Sequence, residues 1–161
     1  MNDGDEFEKH FAAWSKAVRD AFDGWQLKSE DPYCCECPVI DLKFQVMFGH
    51  DYLGDDQTIE VDDSTGRSNM REWHLGDPDF VGNSPGVTHE VGHMFGLLDE
   101  YPDPVMYPEK TSFPPDASDS LMNNLSGQIL QRHIEDIVFN RDGVNNKHGV
   151  LKCSPYKVEK Q

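Results

Sequence analysis

Apolar residues at Phe7, Phe11, Trp14, Val18 and Phe22 recur at steps of four, three, four and four, with Glu8, Lys9, Lys16 and Asp20 between them. That spacing lines one face of an amphipathic helix, which Gly24 ends. From Ile40 the period drops to two. Ile40, Leu42, Phe44, Val46 and Phe48 alternate with Asp41, Lys43, Gln45 and Met47, which predicts a strand with one buried face. "GHDYLGDDQ" reads as a turn, "TIEVDD" as a second strand, and "SNMREWHL" as a third with poorer alternation. "GDPDFVGNSPG" is a loop that leads into a helix beginning near Val87, whose apolar face comes from Val91, Met94, Phe95, Leu97 and Leu98. The following "DEYPDPVMYPEKTSFPPDASDS" holds five prolines and little periodicity, so it is a long irregular loop. "SGQILQRHIEDIVFNRDG" opens on a serine cap and sets Ile129, Leu130, Ile134, Ile137 and Val138 on one side, predicting a last helix. The tail from Asn145 is expected to pack loosely. These elements make an α+β chain.

Composition narrows the partners. At 161 residues the chain is the length of one domain, spanning 1–161, and it shows no repeat, low-complexity segment or linker. Its 30 acidic residues against 14 basic ones give a net charge of −16. That balance excludes nucleic acid and anionic membranes as partners, because phosphate binding needs concentrated Lys and Arg. It favours cations and basic peptides instead. No run of about 18 apolar residues is present to span a membrane. The start, "MNDGDEFEKHF", lacks the basic and apolar regions of a secretory signal. The chain therefore works where it is made, leaves by a route needing no such signal, or is one domain of a larger protein. Cys34, Cys35, Cys37 and Cys153 allow three full pairings, and disulfide, free thiol and soft-metal readings all stay open.

The candidate chemistry lies in "VTHEVGHMFGLLDEYPD", Val87 to Asp103. Four helical residues advance about 400 degrees, so His89 and His93 lie one turn apart on one face and can grip one ion. Glu90 can then reach a water in the open coordination position. Zinc lowers the pKa of such a water to about 7, and a nearby carboxylate can take its proton as it attacks a carbonyl. Continued helix would carry Asp99 away from the ion, but Gly96 can adopt the positive φ that stops a helix and turns the chain back. Asp99 is then the expected third ligand, with Glu100 and His133 as competitors, His133 having as its other reading a hydrogen bond to the oxyanion of the intermediate. Tyr101 is a candidate to stabilise an oxyanion or to pack on the helix end. His10, His50, His74 and His148 have no partner at ligand spacing and read as incidental.

"HEVGHMFGLLD" resembles the extended zinc motif of the metzincin clan of metallopeptidases. That clan also has a methionine in a tight turn under the metal, and "DSLMNN" supplies Met122. The segment from Val87 to His133 is similar to bacterial metallopeptidase domains with a Gly-x-x-Asp-Glu-Tyr signature, often found with contractile injection systems and toxin delivery. Two positions depart from the clan's usual pattern. Asp99 stands where most members have a third histidine, as in its small aspartate-liganded secreted proteases. Asn124 stands where some members have a tyrosine. The resemblance implies a zincin-like fold, with an N-terminal helix on a small twisted sheet, an active-site helix and a C-terminal helix. It further implies a zinc-dependent endopeptidase acting on peptide or protein, with Glu90 as general base and Met122 as a packing floor, and export by a dedicated bacterial secretion system. Two other classes compete. A binding module with structural zinc would not need Glu90, and a deformylase-like amide hydrolase would show a Glu-Gly-Cys ligand motif that "YCCECP" does not match.

Overall fold

The computed structural model describes residues 4–33, 39–46, 48–49, 58–81, 85–105, 108, 112–140 and 156–161, with only the backbone of 4–7 and 140. The cysteines, His50 and His148 lie outside the described residues. The elements are helical and extended, as expected of an α+β chain. They divide into two compact units, one of Met1–Ala21 and Gln45–Gln128, the other of Phe22–Phe44 and Ile129–Gln161. Among the described residues no helix is long and apolar enough to cross a membrane.

The first unit is organised around aromatic rings. The predicted amphipathic helix is α1, Gly4–Phe22. Its period of 3.6 puts Trp14 and Val18 inward, and both are fully buried. Two strands called from the sequence pair in parallel here, β3 (Glu60–Asp62) and β4 (Glu72–His74), with Val61 opposite Trp73. Trp73 meets Trp14 edge-on at 5.1 Å, and Phe48 and Phe80 lie 5.6 Å from Trp73. Such edge-on and tilted rings add attraction to the area they bury. The Trp14 indole donates to the Phe80 carbonyl at 3.1 Å, so its N–H is not stranded in the core. Phe80 closes a short 3₁₀ turn, Pro78–Phe80, in which the Asp79 N–H donates to the Asp77 side chain and the Phe80 N–H to the Asp77 carbonyl, each at 3.0 Å. The helix carrying the histidines, α2, is Pro85–Met94, and it packs against this turn. It starts two residues earlier than its apolar pattern, because proline fits the first helical position, where no N–H is needed.

The second unit is a three-stranded antiparallel sheet in the order β2–β1–β5, with a short helix. The central strand β1 is Trp25–Ser29, a strand the sequence reading missed. It pairs with β2 (Val39–Leu42) and β5 (Tyr156–Lys160). Two expectations are corrected here. The alternation from Ile40 to Phe48 forms a strand only to Leu42, because Leu42 pairs with Trp25, the first residue of β1, and nothing extends the ladder further. Beyond it, the Phe44 N–H is taken by the Asp23 carboxylate at 3.0 Å. Of the tail expected to pack loosely from Asn145, residues 145–155 lie outside the described residues, but its end is ordered, since Tyr156 and Val158 are buried and β5 pairs along the whole of β1.

The last helix also differs from its expected span. Helix α3 is Gln131–Glu135, continued by a π-helical turn over Asp136–Asn140, and it begins after Leu130 rather than at Ser126. In the first unit the stretch before it is captured by a bridge between Ser120 and Gln128. The Gln128 N–H donates to Asp119 O and the Leu121 N–H to Gln128 O, each at 2.9 Å. Gly127 permits this approach, since a Cβ there would lie 2.2 Å from the Ser120 carbonyl carbon.

Candidate metal centre

Helix α2 brings His89 and His93 together as its period requires. Gly96 then stops it with φ at +92°, its N–H bonding His93 O at 2.8 Å while the Leu97 N–H bonds Gly92 O at 3.0 Å. This pair of bonds is the Schellman arrangement at a helix end. Leu97 is buried, but Leu98, past the turn, is exposed, so the helical apolar pattern fails there. The turn returns Asp99 to the histidines, and its Oδ1 lies 3.3 Å from the Nε2 of each. The two Nε2 atoms are 3.1 Å apart.

The outer nitrogens decide which protons are present. Nδ1 of His89 sits 2.9 Å from Leu121 O, and Nδ1 of His93 sits 2.9 Å from Leu97 O. A carbonyl accepts but cannot donate, so both Nδ1 atoms carry hydrogen and both neutral rings turn lone pairs inward at Nε2. Two imidazole lone pairs and a carboxylate oxygen therefore converge on one point. Left alone they repel, and a proton or a cation relieves them. Their edges of 3.1, 3.3 and 3.3 Å match the about 3.3 Å between donors on a tetrahedral ion with bonds of about 2.0 Å. Glu90 belongs to the same cluster, with a carboxylate oxygen within 4.8 Å of the histidine donors. His89, Glu90 and His93 thus form a group that can hold a metal ion.

The surroundings pull the carboxylates apart. Burial opposes the charge on Asp99, but the close approach of His89 and His93 outweighs it and holds its pKa well below the usual range. Burial dominates at Glu90 and raises its pKa, despite the lowering effect of both histidines. Burial works against a charge on His93 as well, yet the nearby Asp99, the bond to Leu97 O and the charge of Glu90 raise its pKa overall. The two carboxylates are thus shifted in opposite directions, Asp99 down and Glu90 up.

Met122 is fully buried beside α2, and a Cβ on Gly92 would lie 2.8 Å from its sulfur. Its carbonyl takes the Glu100 N–H at 2.9 Å, tying the methionine turn to the segment after Asp99. Glu100 is buried next to Asp99 in the chain, but the distances to both histidines single out Asp99. His133 is buried in the second unit, where Nδ1 accepts the Leu130 N–H at 3.0 Å and Nε2 contacts Arg132. Its ring serves the start of α3. Tyr101 accepts a hydrogen bond from Arg67 Nη2 at 3.3 Å, and burial followed by the Asp99 charge raises its pKa. Of the histidines read as incidental, His10 stacks on Trp14 and His74 braces Asp62.

A cleft of about 210 Å³ opens beside the cluster, with His89, Glu90, Tyr101, Phe80 and Asn124 in its walls. Arg67 and Asp77 also line it, and the sequence reading found neither. Both sit in "DDSTGRSN" and "GDPDF", polar stretches with no period or motif to mark them. No protein-family model, curated protein or solved structure matches the chain.

Proposed function

We propose that this chain is a zinc-dependent endopeptidase of zincin-like fold, similar to metzincins, in which His89, His93 and Asp99 hold the ion and Glu90 moves the proton. The observation that carries the reading is the inward triangle of His89 Nε2, His93 Nε2 and Asp99 Oδ1, beside a glutamate that faces the cleft. Two neutral nitrogens and one carboxylate oxygen suit zinc, and three protein ligands are the number a catalytic site uses when it keeps a position open. Zinc held there supplies a Lewis acid that lowers the pKa of water and polarises a carbonyl.

The remaining work falls to the chain's own groups. Leu121 and Leu97 carbonyls fix the tautomer and aim of the two imidazoles. Glu90, with its raised pKa, takes a proton from the attacking water and returns it to the leaving amine. Met122 gives the site a packed apolar floor and is not a ligand. A structural-zinc module has no use for a buried glutamate on a cleft, and structural sites are usually closed by four protein ligands.

The test is metal analysis of the purified protein together with digestion of a denatured protein mixture, with and without chelator. Bound zinc and chelator-sensitive cleavage within chains are expected. Bound zinc without cleavage of any substrate would leave the structural module, and an absence of bound zinc would end the reading.

A further inference from the structure

Among the described residues lining the cleft, Arg67 is the one that carries a positive charge, beside Asp77, Asp79 and Glu90. Its position is set by the connection between β3 and β4. Asp62 Oδ1 accepts the Ser64 N–H at 2.9 Å, the Ser64 hydroxyl at 2.6 Å and His74 Nδ1–H at 2.9 Å. On the other side, buried Ser68 takes the His74 N–H on its hydroxyl at 3.0 Å and donates its own N–H to Asp77 at 3.3 Å. The backbone that carries Arg67 is thus pinned before and after it.

The guanidinium itself is only partly used. Its Nη2 donates to the Tyr101 hydroxyl at 3.3 Å, and among the described residues it forms no ion pair with a carboxylate. Asp77 accepts the Ser68 and Asp79 N–H groups, one on each oxygen. Arginine offers five donors in a planar fork, and that fork matches a carboxylate in two parallel bonds. The cleft of about 210 Å³ is smaller than the about 300–1,000 Å³ of a drug-sized ligand site, so it admits a short piece of substrate.

Resting on the peptidase reading, we propose that Arg67 is a specificity-determining residue that binds a carboxylate of the substrate, so that the site prefers peptides with a free carboxylate close to the scissile bond. The Tyr101 hydroxyl fixes the direction of the fork, and Arg67 supplies the attraction. The carboxylate has two sources, the α-carboxylate at a peptide's C-terminus and the side chain of an acidic residue. The net charge of −16 acts over the whole surface and still favours basic peptides, while Arg67 acts at one contact.

The test separates binding from turnover. Zinc-loaded Glu90→Gln protein is titrated by calorimetry with an N-acetyl dipeptide as its free acid, as its C-terminal amide, and as an amide carrying Glu or Gln at the second position. The expected result is that one carboxylate form binds roughly ten- to hundredfold more tightly than its neutral partner, the range of a charge-assisted hydrogen bond. Whether the free acid or the Glu amide gains identifies the source. Adding Arg67→Met should bring the ratio to about one at unchanged zinc content, with Arg67→Lys retaining part of it. Equal binding of acid and neutral forms, or a preference that survives Arg67→Met, would overturn the proposal, the latter assigning the carboxylate to the metal. Wild-type protein that cleaves no peptide would remove the peptidase reading while these titrations still report on Arg67.

Discussion

Two buried histidine environments in this chain are set in opposite senses. In the segment from α2 to Asp99, the Nδ1 atoms of His89 and His93 face backbone carbonyls and therefore carry hydrogen, which leaves Nε2 lone pairs pointing at one another and at Asp99. At the start of α3, His133 Nδ1 faces the Leu130 N–H and therefore accepts, so the same side chain completes a helix end. The residue type is the same, and His89 and His133 are both buried. The group opposite Nδ1 decides whether the ring is prepared to ligate or to cap.

The largest effect that sharpens this contrast is on the proton carrier. Glu90→Gln removes the proposed base while leaving both imidazoles and Asp99 in place, so turnover should fall by roughly a thousandfold or more at unchanged zinc content. Steady-state rates and metal analysis on the same preparation check it. Retained cleavage would show that Glu90 does not move the proton.

The backbone supporting each environment predicts smaller, ordered losses. At Gly127 an added Cβ would meet the Ser120 backbone at 2.2 Å, and neither side can move without breaking the bonds around Gln128. Gly127→Ala should cost about 3 kcal/mol in denaturant unfolding. At Gly96 the obstacle is the positive φ, and Gly96→Ala should cost about 1–2 kcal/mol while weakening zinc binding, because Asp99 depends on that turn. A reversed order of the two losses would mean that the methionine turn tolerates rearrangement better than the helix end does.

The smallest effect concerns His74, whose Nδ1 faces a carboxylate instead. Its bond to Asp62, followed by those from Ser64, lowers the Asp62 pKa from 3.8 to about 2. A lowered carboxylate pKa contributes stability that is present above the unfolded value and lost as pH falls through the folded one. Asp62→Asn should therefore flatten the fall in stability between about pH 4 and pH 2, and leave neutral-pH zinc binding untouched. An unchanged acid limb would show that this brace carries no linkage.

What the sequence revealed follows from how local each cause is. The face of α1, the paired histidines of α2 and the turn at Gly96 depend on residues a few positions apart, and all were readable. Strands β1 and β5 were not. "WQLKS" and "YKVEK" are five residues each, and they become strands by pairing across more than a hundred positions of chain. The Ile40–Phe48 alternation was readable as extended chain, but its end depends on where β1 begins. Ser126 offered a cap, yet the close approach at Gly127 used the following residues in a bridge. Arg67 was invisible for a similar reason, since only the β3–β4 pairing brings its loop to the cleft.

The central claim is that Asp99, not His133, completes the ligand set, and zinc content after dialysis tests it most directly. Wild-type protein is predicted to retain about one zinc per chain. Asp99→Ala should bind it roughly ten- to hundredfold more weakly, in line with the loss of a ligand or its support, while His133→Ala should retain it. Retention by Asp99→Ala together with loss in a folded His133→Ala would contradict the account.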